Sequence, residues 1–194
     1  YLRALEASRF VDDLELQAIT LNNVGGGWRR SGNEKDAMTS YQNALQISRK
    51  LGDRALEGKT LNNMGALLRQ TGNLGEATKT LTAAIAAWES LRPGLSDRNL
   101  VSLFETQLET YNQLQQVLAA QNKPHQALEI SERSRARAFV ELLSRRLGDQ
   151  VPSSLRGWQL STPPMTIAQI QQLAQQQQTT LVEYALVSKT ELYI

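Results

Sequence analysis

The sequence predicts an all-α fold, a solenoid of antiparallel helix pairs, followed by a short C-terminal β hairpin. Three observations lead there. The stretch "TLNNVGGGWRRSGN" at 20–33 recurs as "TLNNMGALLRQTGN" at 60–73, with Thr, Leu, both Asn, Gly, Arg, Gly and Asn coinciding. Within each copy the apolar residues step by three and four, the period of one helix face. Aromatic residues make up only 6% of the 194 residues, which favours helix over sheet. A chain of this length can bury a sizeable core in one or two domains.

The first element is a partial repeat, 1–17. Its "YLRALEASRF" answers "YQNALQISRK" at 41–50, so the chain is expected to begin with the second half of a repeat. Repeats follow at 18–54 and 55–92. In each, a first helix carries Leu21, Val24, Gly25 and Trp28, or Leu61, Met64, Gly65 and Leu68. A Gly-Asn turn leads into a second helix whose face is Ala37, Tyr41, Ala44 and Leu45 in one copy. Small residues at fixed places let such helices approach closely, and a period of this size signals a stacked array.

A third copy, 97–147, sets Tyr111, Leu118, Asn122 and Ala127 under Leu61, Leu68, Gly72 and Ala77. Pro93 and Gly94 are expected to stop the preceding helix, with Ser96 or Asp97 capping the next. Gln115 stands in this copy where the packing glycine would be, and Ser131 and Ser134 stand where Leu81 and Ala84 do. A Pro/Gly/Ser linker follows at 148–165, in which Pro163-Pro164 forbids helix. In the last segment, 166–194, Thr166 caps a glutamine-rich helix periodic at Ile167, Ile170 and Leu173. The runs "TLVEYALV" and "ELYI" then read as two strands around Ser188-Lys189.

The glycine run Gly25-Gly26-Gly27 beside Arg29 and Arg30 raises the prospect of a phosphate loop. A P-loop requires Lys and Ser/Thr after its second glycine, and Asn33 and Glu34 stand there instead. The dinucleotide fingerprint fails as well, since Arg30 occupies the third glycine's place. Alignment with 60–73 makes Gly25 a packing glycine inside a helix and leaves Gly26 and Gly27 as local replacements of Ala66 and Leu67.

The repeat resembles the tetratricopeptide repeat (TPR), in the forty-residue form of bacterial and kinesin-light-chain-like arrays. The resemblance covers 1 to about 137 and rests on the leucine, small residue and Trp/Leu of the first helix, on Gly32/Gly72, and on Ala37/Ala77, Tyr41/Leu81 and Ala44/Ala84. It implies a concave face, lined by the first helices, on which a protein or extended peptide docks. Asn22-Asn23 and Asn62-Asn63 are expected on that face, with Asn112 partly continuing the line. An asparagine amide offers both a donor and an acceptor to a peptide backbone. In kinesin-light-chain-like repeats the similar "LNN" asparagines contact bound peptide. Arg29 and Arg69 could hold a carboxylate bidentately. The competing reading has the asparagines satisfying neighbouring helices and the arginines simply solvated.

The arginines of 127–146 invite a nucleic-acid reading. Arg133 and Arg135 point to different helix faces, however, and Glu129, Glu132 and Glu141 are interleaved, so pairs such as Glu129–Arg133, Arg137–Glu141 and Glu141–Arg145 can form. The formal net charge of +2 is also too small to argue for nucleic acid or an acidic membrane. No apolar run is long enough to span a bilayer. With no cysteine, and His125 as the single histidine beside Pro124 in a turn, neither a nucleophilic set nor a metal cluster can be assembled. This stretch of chain is therefore expected to carry no catalysis and no cofactor. The lack of cysteine fits a reducing, cytoplasmic compartment.

The run "AL.ISERSRARAFVELL" after such an array resembles the junction that precedes a CHAT domain, the caspase-like module found after TPRs in many cyanobacterial proteins. The helix from 166 and the "LVEY" strand agree with how that domain opens. The resemblance implies a scaffold that recruits partners to, or regulates, a following caspase-like protease whose histidine and cysteine lie beyond this sequence. Two alternatives stand beside it: a scaffold with an inactive CHAT domain, and a nucleic-acid-linked regulator of the CRISPR-associated TPR–CHAT type. Severed from the rest of such a domain, strand edges in 180–194 would be left exposed and would let this stretch of chain, rather than the native protein, self-associate.

Overall fold

The computed structural model describes residues 13–91, 97–147, 167–176, 185–186 and 192–193. Six helices run in succession: α1 (Leu14–Arg30), α2 (Glu34–Leu51), α3 (Arg54–Gln70), α4 (Leu74–Ser90), α5 (Asp97–Ala120) and α6 (Pro124–Leu147). A shorter α7 (Ile167–Gln176) follows, then β1 (Ala185–Leu186) and β2 (Leu192–Tyr193). The chain divides into two compact units, 1–117 and 118–194.

The forty-residue period is written into the helix ends. Asp13 and Asp53 cap α1 and α3, each carboxylate accepting the backbone N–H three residues on at 2.9 Å. Asn33 and Asn73 cap α2 and α4 in the same way, from Asp36 and Glu76 at 3.3 and 3.4 Å. Such caps contribute about 1 kcal/mol each by satisfying otherwise orphaned donors. The first helices thus begin at Leu14 and Arg54, and it is the aspartates, rather than the Thr-Leu-Asn-Asn run, that start them.

Gly32 and Gly72 close α1 and α3 in the left-handed region, at φ 79° and 77°. The backbone N–H of Asn33 then reaches Trp28 O, and that of Asn73 reaches Leu68 O, both at 2.9 Å. The same turn recurs after α5 with Asn122, φ 57°, in the glycine's place and Lys123 N–H donating to Leu118 O at 3.0 Å. Asparagine tolerates this conformation better than other side-chain-bearing residues. Gly52, at φ 69°, ends α2 by the same device.

Within the first unit, α1 packs on α2, α3 on α4, and α2 on α3, while α1 also touches α3. The helices close on glycine. A Cβ at Gly25 would stand 2.6 Å from the Tyr41 ring, and one at Gly65 would stand 2.5 Å from Leu81. Ala37, Tyr41 and Leu67 form a buried cluster joined by Trp28, Met38 and Met64, so the second repeat's Leu67 seals the first repeat's core. Gly58 makes room for Trp88, whereas the equivalent places in the first repeat hold Ala18 and Ser48, both fully buried. The larger side chain sits opposite the smaller one.

Charged links tie consecutive repeats. Glu57, buried at the head of α3, accepts from Arg49 Nε of α2 at 2.8 Å and from Arg54 Nη1 at 2.5 Å. Burial alone would raise the Glu57 carboxyl, but the two arginine hydrogen bonds outweigh it and hold the pKa below its ordinary value. At the next joint the Tyr111 hydroxyl donates to Glu89 Oε1 at 2.9 Å.

In the second unit, α7 packs on α6. Gln169, Gln171, Gln172, Gln175 and Gln176 of α7 are exposed. β1 and β2 pair antiparallel, Ala185 opposite Tyr193 and Leu186 opposite Leu192. These four residues are all that is described of the two strands expected over 180–194. The expected Pro93-Gly94 stop, the linker at 148–165 and the Thr166 cap lie outside the described residues. The partial repeat lies outside them too, save for its last residues. Among the described residues no helix is long and apolar enough to cross a membrane.

Candidate peptide-binding face

On a helix, residues four and seven apart fall on one side. Asn22, Gly26 and Arg29 therefore stack along α1, with Asn23, Gly27 and Arg30 beside them. The equivalent rows on α3 are Asn62, Ala66 and Arg69, and Asn63, Leu67 and Gln70. Each row places its amide at the middle of the helix, and every row but that of Asn63 ends on a cation in the last turn, where a positive charge is also favoured by the helix dipole.

The two asparagines of each doublet have different fates. Asn22 is 2% exposed and its Oδ1 accepts from Asn63 Nδ2 of α3 at 3.0 Å. Asn62 is likewise buried, and its Oδ1 has no hydrogen-bond partner. Asn23, Asn63 and, on α5, Asn112 are half-buried. The doublets thus act first as a link between successive first helices. Only the second member of each, and Asn112, retains surface. Of the two arginines, Arg69 is exposed, whereas Arg29 is half-buried with its Nε covered and unpartnered.

On α5 the residue equivalent to Asn63 is Gln113, which breaks the pattern. It is buried and donates to Glu109 Oε1 within its own helix at 3.0 Å, while its own Oε1 lacks a partner. Asn62 and Gln113 therefore each carry a buried amide oxygen with nothing donating to it. Thr60 Oγ1, also buried, is unpartnered on α3.

The Tyr41 ring lies under Gly25, with its hydroxyl directed at Gly26. Tyr41 is fully buried, and burial raises its pKa against the opposing pull of Arg29 and then Arg30. The phenol is therefore a protonated donor at neutral pH. Arg29 lies close enough to the hydroxyl to act on it as a hydrogen-bond partner, although neither the hydroxyl nor Arg29 Nε meets full hydrogen-bond geometry. This grouping escaped sequence reasoning, although one signal was available. Tyr41 and Arg30 replace Leu81 and Gln70 of the next copy at the same place where the two glycines replace Ala66 and Leu67.

The arginine-rich helix behaves as an ion-paired surface where its side chains are described. Arg135 pairs with Glu132 at 3.4 Å and donates to Ser131 at 3.3 Å. The expected pairs Arg137–Glu141 and Glu141–Arg145 lie outside the described side chains. No group of three or more potential metal ligands occurs among the described residues.

Comparison with known proteins agrees with the helix-pair geometry. Residues 16–90 match the family model described as Tetratricopeptide repeat. Over 115 residues, 58% of this chain, the sequence is 35% identical to Tetratricopeptide repeat protein 28 of Mus musculus. The same identity and coverage hold for the Homo sapiens protein of that name. The matched segment spans only 4% of the length of each relative.

Proposed function

We propose that this segment is a protein-docking scaffold of tetratricopeptide-repeat type, holding an extended peptide along the first helices of its repeats. Asn23, Asn63 and Asn112 supply amides to the peptide backbone, Asn22 and Asn62 support them from beneath, and Arg29 and Arg69 receive acidic groups. The observation that carries this reading is the recurrence, in register, of a half-exposed amide and a last-turn arginine on α1 and α3. That α1 touches α3, while α2 and α4 make no comparable contact, supports the first helices as the closely spaced inner side. The finer part of the proposal is that a docked partner is delivered to, or regulates, a caspase-like CHAT domain following in the same protein. It rests on the likeness of 127–143 and 181–184 to that family's junction and first strand.

The docking role is tested by selecting a displayed library of random peptides on the chain and re-measuring the recovered peptides. Their binding to a chain carrying Asn23→Ala and Asn63→Ala is expected to fall by about tenfold, the loss of one or two hydrogen bonds. Undiminished binding to a folded variant would remove the asparagines from the site. The protease link is tested on the intact protein, where added peptide should change the rate of its self-cleavage or substrate cleavage. We further place the protein in the cytoplasm.

A further inference from the structure

The inner rows of α3 and α5 match place for place, with Thr60 and Thr110 buried at one level and Leu61 and Tyr111 at the next. The same register sets Asn62 level with Asn22, and Gln113 level with Asn63. Between α1 and α3 this pair is closed, Asn63 Nδ2 donating to Asn22 Oδ1 at 3.0 Å. At the following joint it is open. Gln113 Nε2 donates instead to Glu109 Oε1, one turn back on α5, at 3.0 Å. An ionised carboxylate only accepts, so the amide nitrogen of Gln113 faces it and the amide oxygen is turned away. Asn62 Oδ1 and Gln113 Oε1 are then both buried with no hydrogen-bond donor among the described residues, on side chains of residues 8% and 7% exposed. The place of Glu109 is held by Ile19 on α1 and by Lys59 on α3, and neither side chain can accept a hydrogen bond. Among the three first helices, α5 alone carries a competing acceptor there.

We propose that Glu109 gates the amide link between the second and third repeats by holding Gln113 off Asn62. When the carboxylate lets go, Gln113 swings to donate to Asn62 Oδ1 and closes this joint as Asn63 closes the one before it. Glutamine is one methylene longer than asparagine, so rotation about its side-chain bonds carries the amide from one acceptor to the other. The two bonds are balanced for opposite reasons. The bond to Glu109 is charge-assisted, but Glu109 is exposed and water competes for its carboxylate. The bond to Asn62 is between neutral groups, but it lies inside, where little water competes, and it satisfies an oxygen that is otherwise desolvated without return. The control point is therefore at the surface and the controlled link is buried. The first joint has no such acceptor and stays closed, which makes the second the adjustable joint of the array.

A double-mutant cycle of Asn62→Ala and Gln113→Ala on the whole 194-residue chain tests the gate. It is run with Glu109 in place and again in a Glu109→Lys background, which installs the residue of the second repeat. With Glu109 in place the two substitutions should act independently, their effects on the unfolding constant multiplying to within about twofold. In the Glu109→Lys background the double variant should fall short of that product by about fivefold, the worth of one hydrogen bond. Glu109→Ala should behave as Glu109→Lys does, which separates loss of the acceptor from gain of a positive charge. Side-chain amide NMR gives a second reading at native conditions. The Gln113 Nε2 signals should move on Asn62→Ala in the Glu109→Lys background and stay in place when Glu109 is present. Equal coupling in both backgrounds means the link is already closed, and overturns the gate. No coupling in either, with Gln113 signals indifferent to Asn62, means the amide never crosses, and overturns it as well. Coupling that appears with Glu109→Lys but not with Glu109→Ala also overturns it, assigning the effect to the added charge.

Discussion

Asn63 Nδ2 donates to Asn22 Oδ1 at 3.0 Å, joining the first helices of two successive repeats through side chains 41 positions apart. Because Asn22 is buried, this bond is shielded from competing water, and removing either partner strands the other. Asn22→Ala and Asn63→Ala should each destabilise the chain by about 1–3 kcal/mol. Together they should cost less than their sum, with a coupling of about 0.5 kcal/mol or more. Denaturant melts of the double-mutant cycle would show this. The corresponding Asn62→Ala should cost less than Asn22→Ala, since Asn62 Oδ1 receives no hydrogen bond.

The glycines of α1 divide by what surrounds them. Gly26→Ala with Gly27→Leu restores the residues of the next repeat and removes two poor helix formers, and among the described residues a Cβ at either place meets nothing closer than 3.8 Å. It should stabilise the chain by about 1–2 kcal/mol. Gly25→Ala places its methyl carbon against the fully buried Tyr41 ring. Overpacking of about 1–3 kcal/mol then cancels or exceeds the helix-propensity gain. Equal behaviour of Gly25→Ala and Gly26→Ala in thermal melts would contradict this division.

Acid should loosen the joint between α2 and α3. The Glu57 carboxyl has a folded pKa below its ordinary 4.5, so the unfolded chain takes up its proton first as the pH falls. Its contribution to stability is therefore complete above about pH 5 and is lost as the pH drops through the depressed folded value. Glu57→Gln should lower stability at neutral pH by roughly 1–3 kcal/mol, the worth of hydrogen bonds to a charged group. It should also flatten the acid limb of the stability profile. A variant that loses stability equally at every pH would assign Glu57 a packing role instead.

The repeat, its turns and its packing glycines were legible in the sequence because each is a local rule repeated at a fixed offset. Gly32, Gly72 and Asn122 align and share one backbone conformation, and Gly25 and Gly65 align and meet the equivalent residues Tyr41 and Leu81 of their second helices. The helix starts were harder to place, because Asp13 and Asp53 lie seven residues before the Thr-Leu-Asn-Asn run that carries the alignment. What was not legible were relations between repeats. Nothing in a doublet of asparagines says that its first member faces inward and binds the second member of the next doublet. Nor does spacing reveal that Arg49 and Arg54 converge on Glu57 across a left-handed glycine turn.

Residues 180–194 carry the account's prediction about assembly. A two-residue pairing is too small to be stable alone in water, and open strand edges recruit partner strands. The chain should scatter light as a larger species than the same chain shortened to residues 1–165. Identical monomers would remove the strands from any self-association, and identical oligomers would assign it to the helical repeats.

The most direct measurement of the docking claim is an NMR titration of the isotopically labelled chain with an acetylated (Ala-Glu)4 peptide, following side-chain amides and arginine Nε–H groups. The account predicts that the side-chain signals of Asn23, Asn63 and Arg29 shift together and saturate at one affinity, while those of Asn43 on α2 and the backbone of α4 stay in place. Shifts confined to α2 and α4, or spread evenly over both helices of each pair, would contradict it.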